Sequence, residues 1–94
     1  MDHGFWENKR VLVGGGCGFI GSYLVPQLVQ KGASVTVVDN LENGYVENLE
    51  PVRDDIRFIQ ADLRDLTTCH VVTSGMDVII NLAARAYGIA YSCN

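Results

Sequence analysis

The chain has 94 residues, room for one domain with a thin core and not for two. Hydrophobic residues make up 48% and charged residues 19%, a balance that excludes a disordered or fibrous chain. The formal charge is −4, and the seven Lys and Arg residues are scattered from Lys9 to Arg85, so no clustered positive face exists and no nucleic-acid partner is expected.

No apolar run approaches the ~20 residues a membrane-crossing helix needs, so no membrane partner is expected either. The opening MDHGFWEN is too short and too acidic for a signal peptide. Three cysteines (Cys17, Cys69, Cys93) without paired spacing fit a reducing compartment, and the expected location is cytoplasmic.

In chain order, residues 9–13 (KRVLV) predict a first strand that stops at three consecutive glycines. Over Phe19–Gln30 the apolar positions Ile20, Leu24 and Leu28 recur at helical spacing, with Val25 and Val29 beside them. Lys31 and Gly32 supply the stop, a cation followed by a glycine cap. Pro26 inside this helix removes the bond to the Ser22 carbonyl, so a kink or a solvent-facing carbonyl is expected there. Residues 34–38 predict a second strand, closed by Asp39 and Asn40. A loop over 41–55 follows, with one helical turn near 46–49. Residues 56–60, 63–74 and 77–82 then predict a strand, a helix and a fourth strand. Strands that are nearly all apolar and alternate with helices imply a parallel sheet covered on both faces. The expected fold is α/β, the N-terminal half of a Rossmann-like doubly wound sheet in the order 3-2-1-4.

Between the first strand and first helix lies Gly15-Gly16-Cys17-Gly18-Phe19-Ile20-Gly21, a G-x-x-G-x-x-G pattern. Gly15 lets the chain turn out of the strand, Gly18 lets backbone approach a pyrophosphate, and Gly21 lets the helix pack closely on the strand. The helix start then offers unpaired N–H groups to the phosphates. A glycine triplet alone also fits a purely structural turn. Its setting between strand and helix, and Asp39 placed 18 residues beyond Gly21, favour dinucleotide binding. A carboxylate at Asp39 accepts from the ribose hydroxyls and repels a 2′-phosphate, so NAD is expected over NADP. Asp39-Asn40 also suits a plain turn at the strand end. Cys17, at a helix N-terminus, is either an activated thiol or a small filler.

The string VLVGGGCGFIGSYLVPQLVQKGASVTVVDNLENG resembles the start of the extended short-chain dehydrogenases/reductases, the NAD-dependent epimerase/dehydratase group acting on nucleotide sugars. Ala61-Asp62-Leu63-Arg64-Asp65 resembles that family's acidic segment after the third strand, and Asn81-Leu82-Ala83-Ala84 its element after the fourth. The resemblance runs from about Lys9 to the last residues. It implies that Gly15, Gly18, Phe19, Ile20 and Gly21 hold the pyrophosphate and that Asp39 and Asn40 hold the adenosine ribose. Asp62 and Leu63 would flank the adenine, and Leu82, Ala83 and Ala84 would line the path to the nicotinamide ribose. Gly14 stands where the family usually has Thr, and Cys17 where it has Ala.

The family's acid–base pair is Tyr-x-x-x-Lys, and no tyrosine here is followed four residues later by lysine. Residues 1–94 are therefore read as a Rossmann domain ending before the catalytic region, with no catalytic and no metal-binding residue of its own. The implied parent is an epimerase or dehydratase that works by transient hydride transfer on a nucleotide sugar and forms a homodimer. A non-catalytic NAD-binding sensor or interaction module is the competing reading. Arg85, Tyr87 and Ser92 are candidates for contacting substrate. An unpaired edge on the fourth strand is expected, with low stability or self-association of the chain.

Overall fold

The computed structural model describes residues 4–42 and 44–82. Four parallel strands form one sheet in the order β3-β2-β1-β4: β1 (Arg10–Gly14), β2 (Ser34–Asp39), β3 (Ile56–Gln60) and β4 (Val78–Asn81). Helix α1 (Phe19–Gln30) joins β1 to β2, a 3-10 segment (Val46–Asp55) precedes β3, and helix α2 (Leu66–Thr73) joins β3 to β4. The architecture and strand order expected from the sequence are the ones observed.

Parallel register sends paired residues to the same face. Val13 pairs with Val37 and Ile80, and Val37 with Phe58; Val11 pairs with Val35 and Val78, and Val35 with Ile56. These two rows face α1 and the 3-10 segment, where Val25, Leu28, Leu49 and Val52 complete one core. The opposite face is thinner: Leu12 and Val38 pack with Val72 of α2, joined by Ile59, Leu63 and Met76. Among the described residues β4 pairs with β1 alone. Its Ile79, on the α2 side, is 47% exposed.

Helix α1 has the predicted bounds but a different buried line. The buried residues are Gly21, Val25 and Leu28, whereas Ile20 is exposed. The line passes through Gly21 because the helix seats there against the glycine turn, which rotates Ile20 outward. The helix runs unbroken through Pro26. It ends as expected: Gly32 takes a left-handed φ of +88°, and the Ala33 amide reaches back to the Leu28 carbonyl at 3.0 Å.

Helix α2 is shorter than the predicted 63–74. Asp62 and Asp65 consume the first residues in turns: the Arg64 amide donates to Asp62 Oδ1 at 2.8 Å and the Asp65 amide to the Asp62 carbonyl at 3.1 Å. Asp65 then caps the helix, accepting from the Thr67 amide and the Thr68 hydroxyl.

At the other end of the sheet, Asp77 ties β4 to β1 through the Arg10 amide (2.8 Å) and guanidinium (3.4 Å). Trp6 packs against the larger core, and the Asn8 amide donates to the Gly32 carbonyl.

Candidate functional site

In a parallel sheet all strands end on the same side, and four candidate segments follow the four strand ends here. Gly15 follows β1, Asp39 closes β2, Asp62 follows β3 and Leu82 follows β4. Backbone bonds draw them together: the Gly15 amide donates to the Val38 carbonyl (2.7 Å), the Ala61 amide to the Asp39 carbonyl (3.2 Å) and the Leu82 amide to the Gly14 carbonyl (2.7 Å). The chain leaves β1 toward β2 on one side and returns to β4 on the other, so the strand order reverses at this edge, the place where open parallel sheets take their ligands.

The glycines have separable reasons. Gly15 has φ +76°, a left-handed turn that a side chain would strain. At Gly21 a Cβ would fall on the backbone of Gly16, so the helix packs on the turn itself rather than on the strand. Gly18 is different. Its φ of −83° suits any residue, and the nearest atom to a Cβ there is the Gly15 carbonyl oxygen at 3.6 Å, an ordinary contact. Among the described residues neither strain nor packing explains its missing side chain, and none of them fills the space beside it.

Gly18 is also the residue before α1, and it offers no side-chain cap; the first turn carries no acidic residue. The amides of Phe19, Ile20 and Gly21 lie beyond the reach of the helix's own ladder and meet no acceptor among the described residues. The helix dipole adds a partial positive charge at the same point. Phe19 and Ile20 are 75% and 62% exposed, with the Phe19 ring edge-on to Tyr23 at 5.3 Å. Their side chains are not spent on the core.

Asp39 is only 8% exposed, and its carboxylate faces the glycine turn. Oδ2 accepts from the Cys17 amide at 2.9 Å and Oδ1 from the Leu41 amide at 2.7 Å. The first bond braces the turn, a role the sequence did not announce. Each oxygen keeps a second lone pair for another donor. Leu41 holds a left-handed φ of +65°, uncommon for a branched side chain, and its amide bond to Asp39 supports that conformation.

Asn40 accepts from the Glu42 amide through Oδ1 (3.0 Å), and its side chain also bonds Asp62. Asp62 is engaged by Arg64, with Nη2 to Oδ2 at 2.7 Å and Nε to Oδ1 at 3.0 Å. These bonds hold its carboxyl below the usual carboxylate range. An adenine amino group would share this carboxylate with Arg64 rather than find it bare. Leu63 leans over Gly14: its Cδ1 lies 2.6 Å from where a Gly14 Cβ would sit, so the glycine's vacant volume is already filled. Leu82 packs on the larger core. Ala83, Ala84, Arg85, Tyr87 and Ser92 lie outside the described residues.

Cys17 is fully buried, and burial above all, with Asp39 and Glu47 adding repulsion, pushes its thiol up to about 11. It is a filler, not an activated nucleophile. No described helix is long and apolar enough to cross a membrane.

Sequence reasoning missed the loop that backs the turn. Gly44 presses on the Cys17 peptide so closely that a Cβ would come within 2.6 Å of its carbonyl oxygen. The Tyr45 amide (3.1 Å) and Asn48 Nδ2 (2.8 Å) both donate to that oxygen. Glycine in an otherwise polar loop was the available signal.

A parallel sheet with an uncapped helix start and a buried acid at the next strand end defines a Rossmann-like unit. The chain belongs to the NAD dependent epimerase/dehydratase family, whose model matches residues 11–93. It is 40% identical over 76 residues to a UDP-N-acetyl-alpha-D-glucosaminuronate decarboxylase of Bacillus cytotoxicus, covering 81% of this chain and 24% of that one. It superposes on an epimerase from Methanothermobacter thermautotrophicus with a TM-score of 0.78 at 35% identity, covering 86% of this chain and 24% of the other. A Bordetella bronchiseptica enzyme solved in complex with NAD+ matches at a TM-score of 0.73 and 33% identity, over 83% of this chain and 24% of that one. The chain thus spans about a quarter of the length of the proteins it matches.

Proposed function

We propose that this chain is the NAD-holding portion of a nucleotide-sugar epimerase or dehydratase. The observation that carries the reading is the start of α1. There the Phe19, Ile20 and Gly21 amides are unpaired beside the open flank of Gly18, and Asp39 ends the neighbouring strand. The amides and helix dipole suit a pyrophosphate. The second lone pairs of the Asp39 carboxylate suit ribose hydroxyls, and its charge disfavours a 2′-phosphate. Asn40 would stand beside Asp39 at the ribose, Asp62 and Leu63 by the adenine, and Leu82, Ala83 and Ala84 toward the nicotinamide ribose. When bound, NAD supplies a hydride acceptor; the chain's own residues bind, orient and select it.

The acid–base pair would lie in the remainder of a homodimeric, cytoplasmic parent that binds the nucleotide sugar. A reading frame continuing into Tyr-x-x-x-Lys supports this enzyme, and one without it supports a non-catalytic NAD-binding module. Titration of the chain with NAD and NADP, followed by calorimetry, tests the binding. Saturable NAD binding with NADP at least about tenfold weaker is expected; absence of NAD binding, or preference for NADP, overturns the reading.

A further inference from the structure

We propose that Asn48 is a positioning residue for the phosphate-facing turn, acting through the carbonyl of Cys17; the inference rests on the NAD-binding reading above. A trans peptide points its C=O and N–H in opposite directions. The rotation of the Cys17–Gly18 peptide therefore decides where the Cys17 oxygen points, since its N–H is held within the turn by the Gly15 carbonyl. Carbonyl oxygen toward a diphosphate would repel it.

This segment has little stiffness of its own. Cys17 is flanked by Gly14, Gly15 and Gly16 on one side and Gly18 on the other, and glycines lose the most freedom on ordering. Its orientation is held from outside. Asn48 Nδ2 and the Tyr45 amide draw the Cys17 oxygen toward the 44–48 loop at 2.8 and 3.1 Å, while Asp39 Oδ2 takes the Cys17 amide at 2.9 Å. The Gly18 amide turns the other way, to the Gly15 carbonyl at 3.3 Å.

Of these partners, Asn48 supplies the one side-chain donor to that oxygen among the described residues, from 31 positions away in sequence. Gly44 makes the approach feasible, because any side chain there would meet the Cys17 carbonyl. The 44–48 loop thus acts as a backing plate that holds the Cys17 oxygen to its own side.

The test compares the wild-type chain with Asn48→Ala, which removes the donor, and Asn48→Asp, which sets an acceptor of the same shape against the carbonyl. NAD, ADP and adenosine are titrated calorimetrically, and melting is followed by circular dichroism. Both variants are expected to bind NAD and ADP about tenfold or more weakly, Asp worse than Ala, the size that follows from losing one hydrogen bond to a buried carbonyl. Adenosine, which lacks the diphosphate, should bind each folded variant as it binds wild type. A merely structural residue would weaken all three ligands together, and that result overturns the inference, as does wild-type affinity for NAD in either variant. Should Asn48→Ala fail to fold, Asn48→Asp decides by the same comparison, and failure of both to fold assigns Asn48 to stability and also overturns it. Failure of the wild type to bind NAD overturns the parent reading and this inference with it, and so is told apart from failure of the inference alone.

Discussion

The two helices begin in opposite ways. Helix α2 starts under Asp65, whose carboxylate takes the Thr67 amide and the Thr68 hydroxyl. Helix α1 starts under Gly18, with no side-chain cap and no acid in its first turn. Both helices run between strands of the same sheet, so an uncapped start is not a demand of the fold. Capping is worth about 1 kcal/mol, and α1 forgoes it at the place where the strand ends converge. The lesson is that an unmet local preference which packing does not account for is the place to look for a ligand.

The contrast can be broken in several places, and the largest effect on stability belongs to the glycine that packing does explain. Gly21→Ala puts a Cβ into the Gly16 backbone, so a loss of about 3 kcal/mol or more is expected in urea denaturation. A variant as stable as wild type would contradict the packing described for the turn. Asp39→Ala comes next. It strands the buried Cys17 amide and should cost about 2 kcal/mol while narrowing the preference for NAD over NADP. Unchanged stability would remove Asp39 from the turn.

Asp65→Ala should cost about 1 kcal/mol in α2 and leave NAD affinity alone. Weakened NAD binding there would show that the two helix starts are not independent. Gly18→Asp is its mirror. There is room for the side chain, stability should change by a few tenths of a kcal/mol, and NAD binding should be lost because the new carboxylate occupies the free amides. Retained affinity would mean the start of α1 is not where the phosphates sit.

The smallest effect is acidic. Arg64 lowers the Asp62 carboxyl and Arg10 lowers that of Asp77 relative to the ordinary value near 3.8. Folded carboxyls with lowered pKa contribute stability above the unfolded value, and that contribution is lost as pH falls through the folded value. Melting temperature should therefore decline modestly below about pH 4, and Arg64→Gln should reduce that decline. A pH-independent melt over this range would show that the ion pairs do not contribute.

The sequence determined the element order and the exact bounds of α1 and β3, because apolar periodicity, the Lys31-Gly32 stop and β-branched runs are local signals. It also marked Gly15, Gly18, Gly21 and Asp39, since a strand, three glycines and an acid at fixed spacing are readable in one dimension. Tertiary structure decided the rest. Ile20 looked like core by periodicity and is exposed, because the close seat of Gly21 on Gly16 sets the rotation of α1. Asp39 looked like a ribose acceptor or a plain turn residue, and the structure has it hold the Cys17 amide. Asn48 carried no signal at all, because its partner lies 31 residues upstream. Periodicity reports which residues prefer burial, but which atom meets which depends on contacts between segments far apart in the chain, and those exist only after the sheet has formed.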